Sequence, residues 1–94
     1  MKDLIDKIIE FRDARDWKKH DSPENLAKSI IIEAAELLEN FQWSDESFDE
    51  VNVKEELADV LIYSLALVHD MGYNLAEIID EKLKKNAIKY PIIK

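Results

Sequence analysis

Four carboxylates stand where a solvated helix face does not account for them. Glu33 and Glu36 are three positions apart, and so are Glu56 and Asp59. On a helix such neighbours hold their Cβ atoms about 5–6 Å apart. Projected at ~100° per residue from Leu26, Ile30 falls at about 40°, Leu37 at about 20° and Glu33 at about 340°, inside the apolar stripe; Glu36 falls at about 280°, on its edge. Projected from Val53, Leu57 falls at about 40°, Val60 at about 340°, Glu56 at about 300° and Asp59 at about 240°. Each of two apolar helices thus carries an acid pair on the flank of its stripe.

Unpaired buried carboxylates are costly, so they must be protonated, paired with bases or bound to a cation. Lys28 and Lys54 are the only lysines or arginines in the two segments, and Lys54 projects elsewhere. Clustered oxygen acids fit a hard divalent ion, Mg²⁺ or Mn²⁺, whereas Zn²⁺ prefers His or Cys. Glu-x-x-Glu also occurs on ordinary solvated faces. Two such pairs, both beside apolar stripes, weigh against that explanation. Glu55 projects to a solvated side and stays open as an outer ligand.

The elements that must position these acids read as four helices, an all-α fold in one domain spanning residues 1–94. The first is expected over Asp3–Asp16, with Leu4, Ile5, Ile8, Ile9 and Phe11 as its apolar face. A loop from Trp17 to Asp21 follows. Ser22-Pro23 is a start signal, a capping serine before a proline at the first helical position, and the second helix runs to about Phe41. A polar connection from Gln42 to Asn52 leads to the third helix, Val53–Met71, which Gly72 should stop in a left-handed conformation. Asn74 caps the fourth, which ends near Lys89 before Pro91. Between Leu57 and Val68 only Asp59, Tyr63 and Ser64 interrupt the apolar residues. A helix apolar on most sides needs neighbours on most sides, and three short helices hardly supply them. At least a homodimer through the third helix is expected.

Composition narrows the function classes. The chain has 94 residues, no cysteine, one glycine, two prolines and a net charge of −8. No disulfide framework, zinc knuckle or thiol nucleophile is available. The acidic balance argues against a nucleic acid polymer or an anionic membrane as partner. Val60–Val68, the longest apolar stretch, is far short of the ~20 residues of a membrane span. Met1-Lys2-Asp3 opens directly into an amphipathic pattern instead of a leader, so a cytoplasmic protein is expected.

Glu33-Ala-Ala-Glu36 followed by Glu56-Leu-Ala-Asp59 resembles the paired E-x-x-E and E-x-x-D motifs of the MazG-like nucleotide pyrophosphohydrolases. Arg15-Asp16-Trp17, Pro23-Glu24-Asn25-Leu26, Phe41-Gln42-Trp43, Asp59-Val60-Leu61-Ile62-Tyr63 and Lys82…Asn86…Tyr90-Pro91 are similar as well, so the likeness covers about residues 8–91. The dCTP-pyrophosphatase-like short branch is the nearest in pattern. The resemblance implies helical bundles built between subunits, as homodimers or homotetramers. It implies Mg²⁺-dependent cleavage of a nucleoside triphosphate to the monophosphate and pyrophosphate, with clearance of non-canonical nucleotides as a purpose. Glu33, Glu36, Glu56 and Asp59 match the metal-binding tetrad. Bound Mg²⁺ inverts the sign of an acidic site and acidifies a bound water. Glu36 is taken as the carboxylate that orients or deprotonates that water.

Further substrate contacts follow. Lys82 and Asn86 share a helix face and could hold phosphate or sugar oxygens, or form a solvated basic helix end. Trp17, Trp43 and Tyr63 are candidates for base stacking, or plugs for the ends of a small bundle. Phe11 and Tyr90 complete the wall in the stacking reading. His20 and Asn25 flank the second helix's cap, and Asn25 has a purely local role as its alternative. A di-iron carboxylate bundle would need Glu-x-x-His pairs, but Trp17 and Ala66 stand three residues before His20 and His69. Two rivals remain: a non-catalytic helical interaction protein, and a related all-α pyrophosphohydrolase acting on dUTP or a phosphoribosyl nucleotide.

Overall fold

A computed structural model describes residues 1–93. Among these residues there are four α-helices and no strand: α1 Lys2–Ala14, α2 Pro23–Glu39, α3 Glu50–Asp70 and α4 Leu75–Lys89, with a 3-10 turn at Lys18–His20 between α1 and α2. The chain is all-α, as its periodicity indicates.

Helix boundaries follow local chemistry. The Ser22 hydroxyl accepts the Asn25 N–H at 3.1 Å, with Pro23 opening α2. The Asn74 side chain accepts the Glu77 N–H at 3.0 Å and starts α4. At the end of α3, Gly72 has φ +73; its N–H donates to the His69 carbonyl, and the Tyr73 N–H reaches back to Val68. That is a Schellman closure, which needs a left-handed residue. A second such closure ends α1, where the left-handed residue is Asp16, φ 54, and the Trp17 N–H donates to the Arg12 carbonyl at 3.2 Å. Helix α1 therefore stops at Ala14 and not at Asp16. Helix α3 begins three residues before the expected Val53, because the Asp49 carboxylate accepts the N–H groups of Val51 and Asn52.

Helices α2 and α3 form the principal packed pair, α1 packs less extensively on α3, and α4 shares no comparable interface with the other three. The pair is antiparallel: Asn52 near the start of α3 meets Asn40 just beyond α2, while acids from the middles of both helices meet one another. Phe41 and Phe48, with ring centroids 4.9 Å apart, close the neck of the connection. Beyond that neck the Ser44 hydroxyl accepts N–H groups from Glu46 and Ser47, so the tip folds on itself.

The apolar core is small. Leu26, Leu65 and Ala66 are the buried apolar side chains among the described residues. Ser64, which interrupts the apolar run of α3, satisfies its hydroxyl on the Val60 carbonyl at 2.7 Å. Outside the core, Ile31 is 70% exposed, and Leu61, Leu83 and Ile88 are exposed as well. The accessible surface is 7722 Å², against about 5,600 Å² for a compact monomer of this mass. The radius of gyration is 16.1 Å, against about 12 Å for a compact chain of this length. No described helix is long and apolar enough to cross a membrane.

Candidate active site on the paired helices

The antiparallel pairing of α2 and α3 brings Glu33 opposite Glu56 and Asp59. One oxygen from each of these three lies within 4.8 Å of the others. All three side chains are half-buried, and Glu33 Oε2 and Glu56 Oε2 are buried without any hydrogen-bond partner. Glu36, also half-buried, adjoins the group one turn along α2.

Crowded acids share protons. Glu56 is pushed up from 4.5 to about 7, chiefly by the adjacent Glu36 carboxylate, then by partial burial and by Glu33. Burial also raises Glu33, and Glu36 and Asp59 add to that, while its contact with Glu56 acts in the opposite sense. A proton on Glu56 relieves its repulsion with Glu36 and Glu33 and favours the charged form of Glu33, which accounts for these directions. A cation would take the proton's place. Hard, anionic oxygen donors with unsatisfied lone pairs are a donor set that fits a divalent ion of the Mg²⁺ class.

Beside the acids a cleft of about 860 Å³ opens between α1 and α3. Asp59, Tyr63, Trp17 and Phe11 all line it. Phe11 and Trp17 meet edge to face at 5.8 Å, and the Arg15 guanidinium lies 3.5 Å above the Phe11 ring. Burial and the nearby Glu33 and Asp59 raise the Tyr63 pKa, which keeps its phenol neutral and able to donate.

A family model described as MazG-like matches residues 28–94. The chain belongs to the MazG-like family. The dCTP pyrophosphatase 1 of Mus musculus is 33% identical to this MazG-like chain over 101 residues, covering 98% of the chain and 59% of the relative. The Homo sapiens protein of the same name is 33% identical over 100 residues, covering 97% and 59%. The chain therefore spans about three fifths of the length of these curated relatives. A pyrophosphatase from Archaeoglobus fulgidus, known from a crystal structure, is 49% identical, with a TM-score of 0.90 over 98% of this chain and 93% of that one.

The MazG-like fold places the remaining candidates unevenly. Trp17 and Tyr63 lie together at the cleft. Trp43 sits in the α2–α3 connection and is 89% exposed. Lys82 and Asn86 are on α4, and Tyr90 closes its end. None of these four lines the cleft of its own chain. The Asn25 amide donates to the His20 carbonyl at 3.0 Å, its local role.

Sequence pattern did not single out Arg12. It is 4% exposed and forks onto Asp70 at 2.6 and 2.8 Å. Its spacing from Ile5 and Ile8, seven and four residues earlier, put it in line with the apolar face of α1 and was the available signal.

Proposed function

We propose that the chain is a divalent-metal-dependent nucleoside triphosphate pyrophosphohydrolase, releasing the monophosphate and pyrophosphate, with Mg²⁺ as the working ion and Mn²⁺ as a substitute. The observation that carries this reading is the facing of Glu33 with Glu56 and Asp59, two of them holding buried oxygens with no partner. The names of the similar proteins support the reaction class.

In this reading Glu33, Glu36, Glu56 and Asp59 hold the metal. The bound ion would neutralise phosphate charge and supply an acidified water. Glu36, at the edge of the group, orients that water or takes its proton. The Tyr63 phenol donates toward the substrate beside Asp59, and Trp17 and Trp43 stack on the base. Catalysis is then positioning and charge stabilisation.

Lys82, Asn86 and Tyr90 belong to this proposal through assembly. Helix α4 carries them away from the acids of its own chain, and the excess surface and exposed apolar residues argue for a homodimer or homotetramer. A neighbouring copy's α4 would bring a lysine and an amide to the phosphates. The proposed setting is cytoplasmic, where nucleoside triphosphates and Mg²⁺ are both abundant.

The test is a panel of natural and modified nucleoside triphosphates with Mg²⁺, with monophosphate and pyrophosphate quantified. Stoichiometric release by the parent and loss in Glu56→Gln support the reading. No turnover of any of them rejects it; a response confined to dUTP, or to a phosphoribosyl nucleotide assayed beside the panel, selects the related activity.

A further inference from the structure

Arg12 links two parts of the molecule through different ends of one residue. Its side chain, from α1, forks onto Asp70 at the end of α3 at 2.6 and 2.8 Å, and one nitrogen lies 3.6 Å from Asp21. Its carbonyl accepts the N–H of Arg15 and of Trp17, each at 3.2 Å. The left-handed Asp16 makes the second of those bonds reachable.

The pair is dry: the Arg12 side chain is 5% and the Asp70 side chain 10% exposed. Nε of Arg12 has no hydrogen-bond partner. A buried ion pair seldom adds stability over an apolar pair of equal volume, so stability alone does not explain it. A planar fork on a carboxylate instead fixes direction as well as distance. Helix α1 needs that direction, because its packing on α3 is otherwise slight. Arg12 itself lines the cleft, as do Phe11, Trp17, Asp59 and Tyr63.

We propose that Arg12 is a positioning residue for the substrate cleft: through Asp70 and through the Trp17 N–H it sets where the Phe11–Trp17 wall stands relative to Asp59 and Tyr63, and so governs base selection. This rests on the proposed function for the reaction, and on geometry alone for the placement of the wall. Arg12 touches no substrate in this reading. Among the described residues no hydrogen bond or ion pair joins it to Glu33, Glu36, Glu56 or Asp59.

The test compares the parent chain, Arg12→Lys and the double variant Arg12→Met/Asp70→Leu, which leaves no buried charge unpaired. Acrylamide quenching of Trp17 is read with Trp43→Phe in each, alongside Mn²⁺ affinity and steady-state kinetics without that change. Quenching should rise in the double variant and by less in Arg12→Lys. Mn²⁺ affinity should hold. KM should rise about tenfold with kcat little changed, the scale of a lost base–aromatic stack, and the pyrimidine-to-purine preference should relax. Parent-like quenching in a folded double variant, or a lower melting temperature with unchanged KM ratios, overturns the proposal. If the double variant does not fold, Arg12→Lys decides by the same criteria. A parent that hydrolyses no triphosphate rejects the proposed function, and the quenching comparison still decides the role of Arg12.

Discussion

Asn52 donates its side-chain amide to the side-chain oxygen of Asn40 at 2.9 Å, and each residue stands one turn from an acid of the cluster. Asn40 follows Glu36 by four residues and Asn52 precedes Glu56 by four. The Asn40 amide in turn reaches the Glu36 and Leu37 carbonyls. This clasp fixes the register of α2 against α3, and register decides how closely the acids face.

Asn52→Ala should therefore act in two ways. Losing the bond and leaving the Asn40 oxygen unpaired should cost about 1–2 kcal/mol of stability. Mn²⁺ affinity should weaken even where the protein is fully folded. Chemical denaturation with an Mn²⁺ titration checks both; unchanged affinity in the folded variant would remove the clasp from the site.

The acid cluster makes a pH prediction with a definite sign. Glu56 titrates at about 7 when folded, above its ordinary 4.5. Between those values the native state binds more protons than the unfolded state, so metal-free stability falls as pH rises through that window. Divalent affinity should move oppositely, rising with pH and levelling off above about 7, with a proton released on binding. Melting curves at pH 5, 6, 7 and 8, with and without Mg²⁺, check both slopes.

Glu56→Gln removes the group that holds the extra proton. The metal-free variant should melt at or above the parent and show a shallower downward slope with pH, the raised Glu33 keeping the remainder. Mg²⁺ should no longer stabilise it as it stabilises the parent, since ligand binding to the native state raises stability by mass action. Paired thermal melts decide this; equal Mg²⁺ shifts in both proteins would exclude Glu56 as a ligand.

Trp43 separates recognition from folding. At 89% exposure it plugs no core within the chain. Trp43→Ala should shift stability by no more than about 0.5 kcal/mol while weakening substrate binding by about 1–3 kcal/mol, mainly in KM. Melting and KM for a pyrimidine and a purine triphosphate check it.

Leu83 on α4 is exposed at 58%. Leu83→Asp should dissociate an assembly held by that face, because a charge placed in an apolar interface is left unpaired. Sedimentation should then show an 11.0 kDa species, and the parent should sediment as a dimer or larger.

Much of this was legible in the residues. Ser22, Asn74 and Gly72 act through bonds that reach only a few positions, so their effects could be read locally. The facing of Glu33 with Glu56 followed from two anomalous stripes, once the helices were taken to pack. Asp49 was hidden in the acidic run Asp45–Glu50, where several side chains could have capped α3. The Arg12–Asp70 pair spans 58 positions, and no local rule pairs residues so far apart. The direction of α4 was equally illegible, because it shares no comparable interface with the other described helices.

The Phe41–Phe48 contact has an evolutionary consequence. With the neck closed there and Ser44 organising the turn, residues 42–47 form an appendix to the helix pair. Lengthening such a loop is thermodynamically cheap, about 0.6 kcal/mol for each doubling, and leaves the spacing of the acids unchanged. Trp43 rides on this adjustable part, while Glu33, Glu36, Glu56 and Asp59 ride on the rigid one. Under the proposed function, insertions at the tip would retune which base is held without disturbing the acids, so substrate range would drift while the reaction stayed the same.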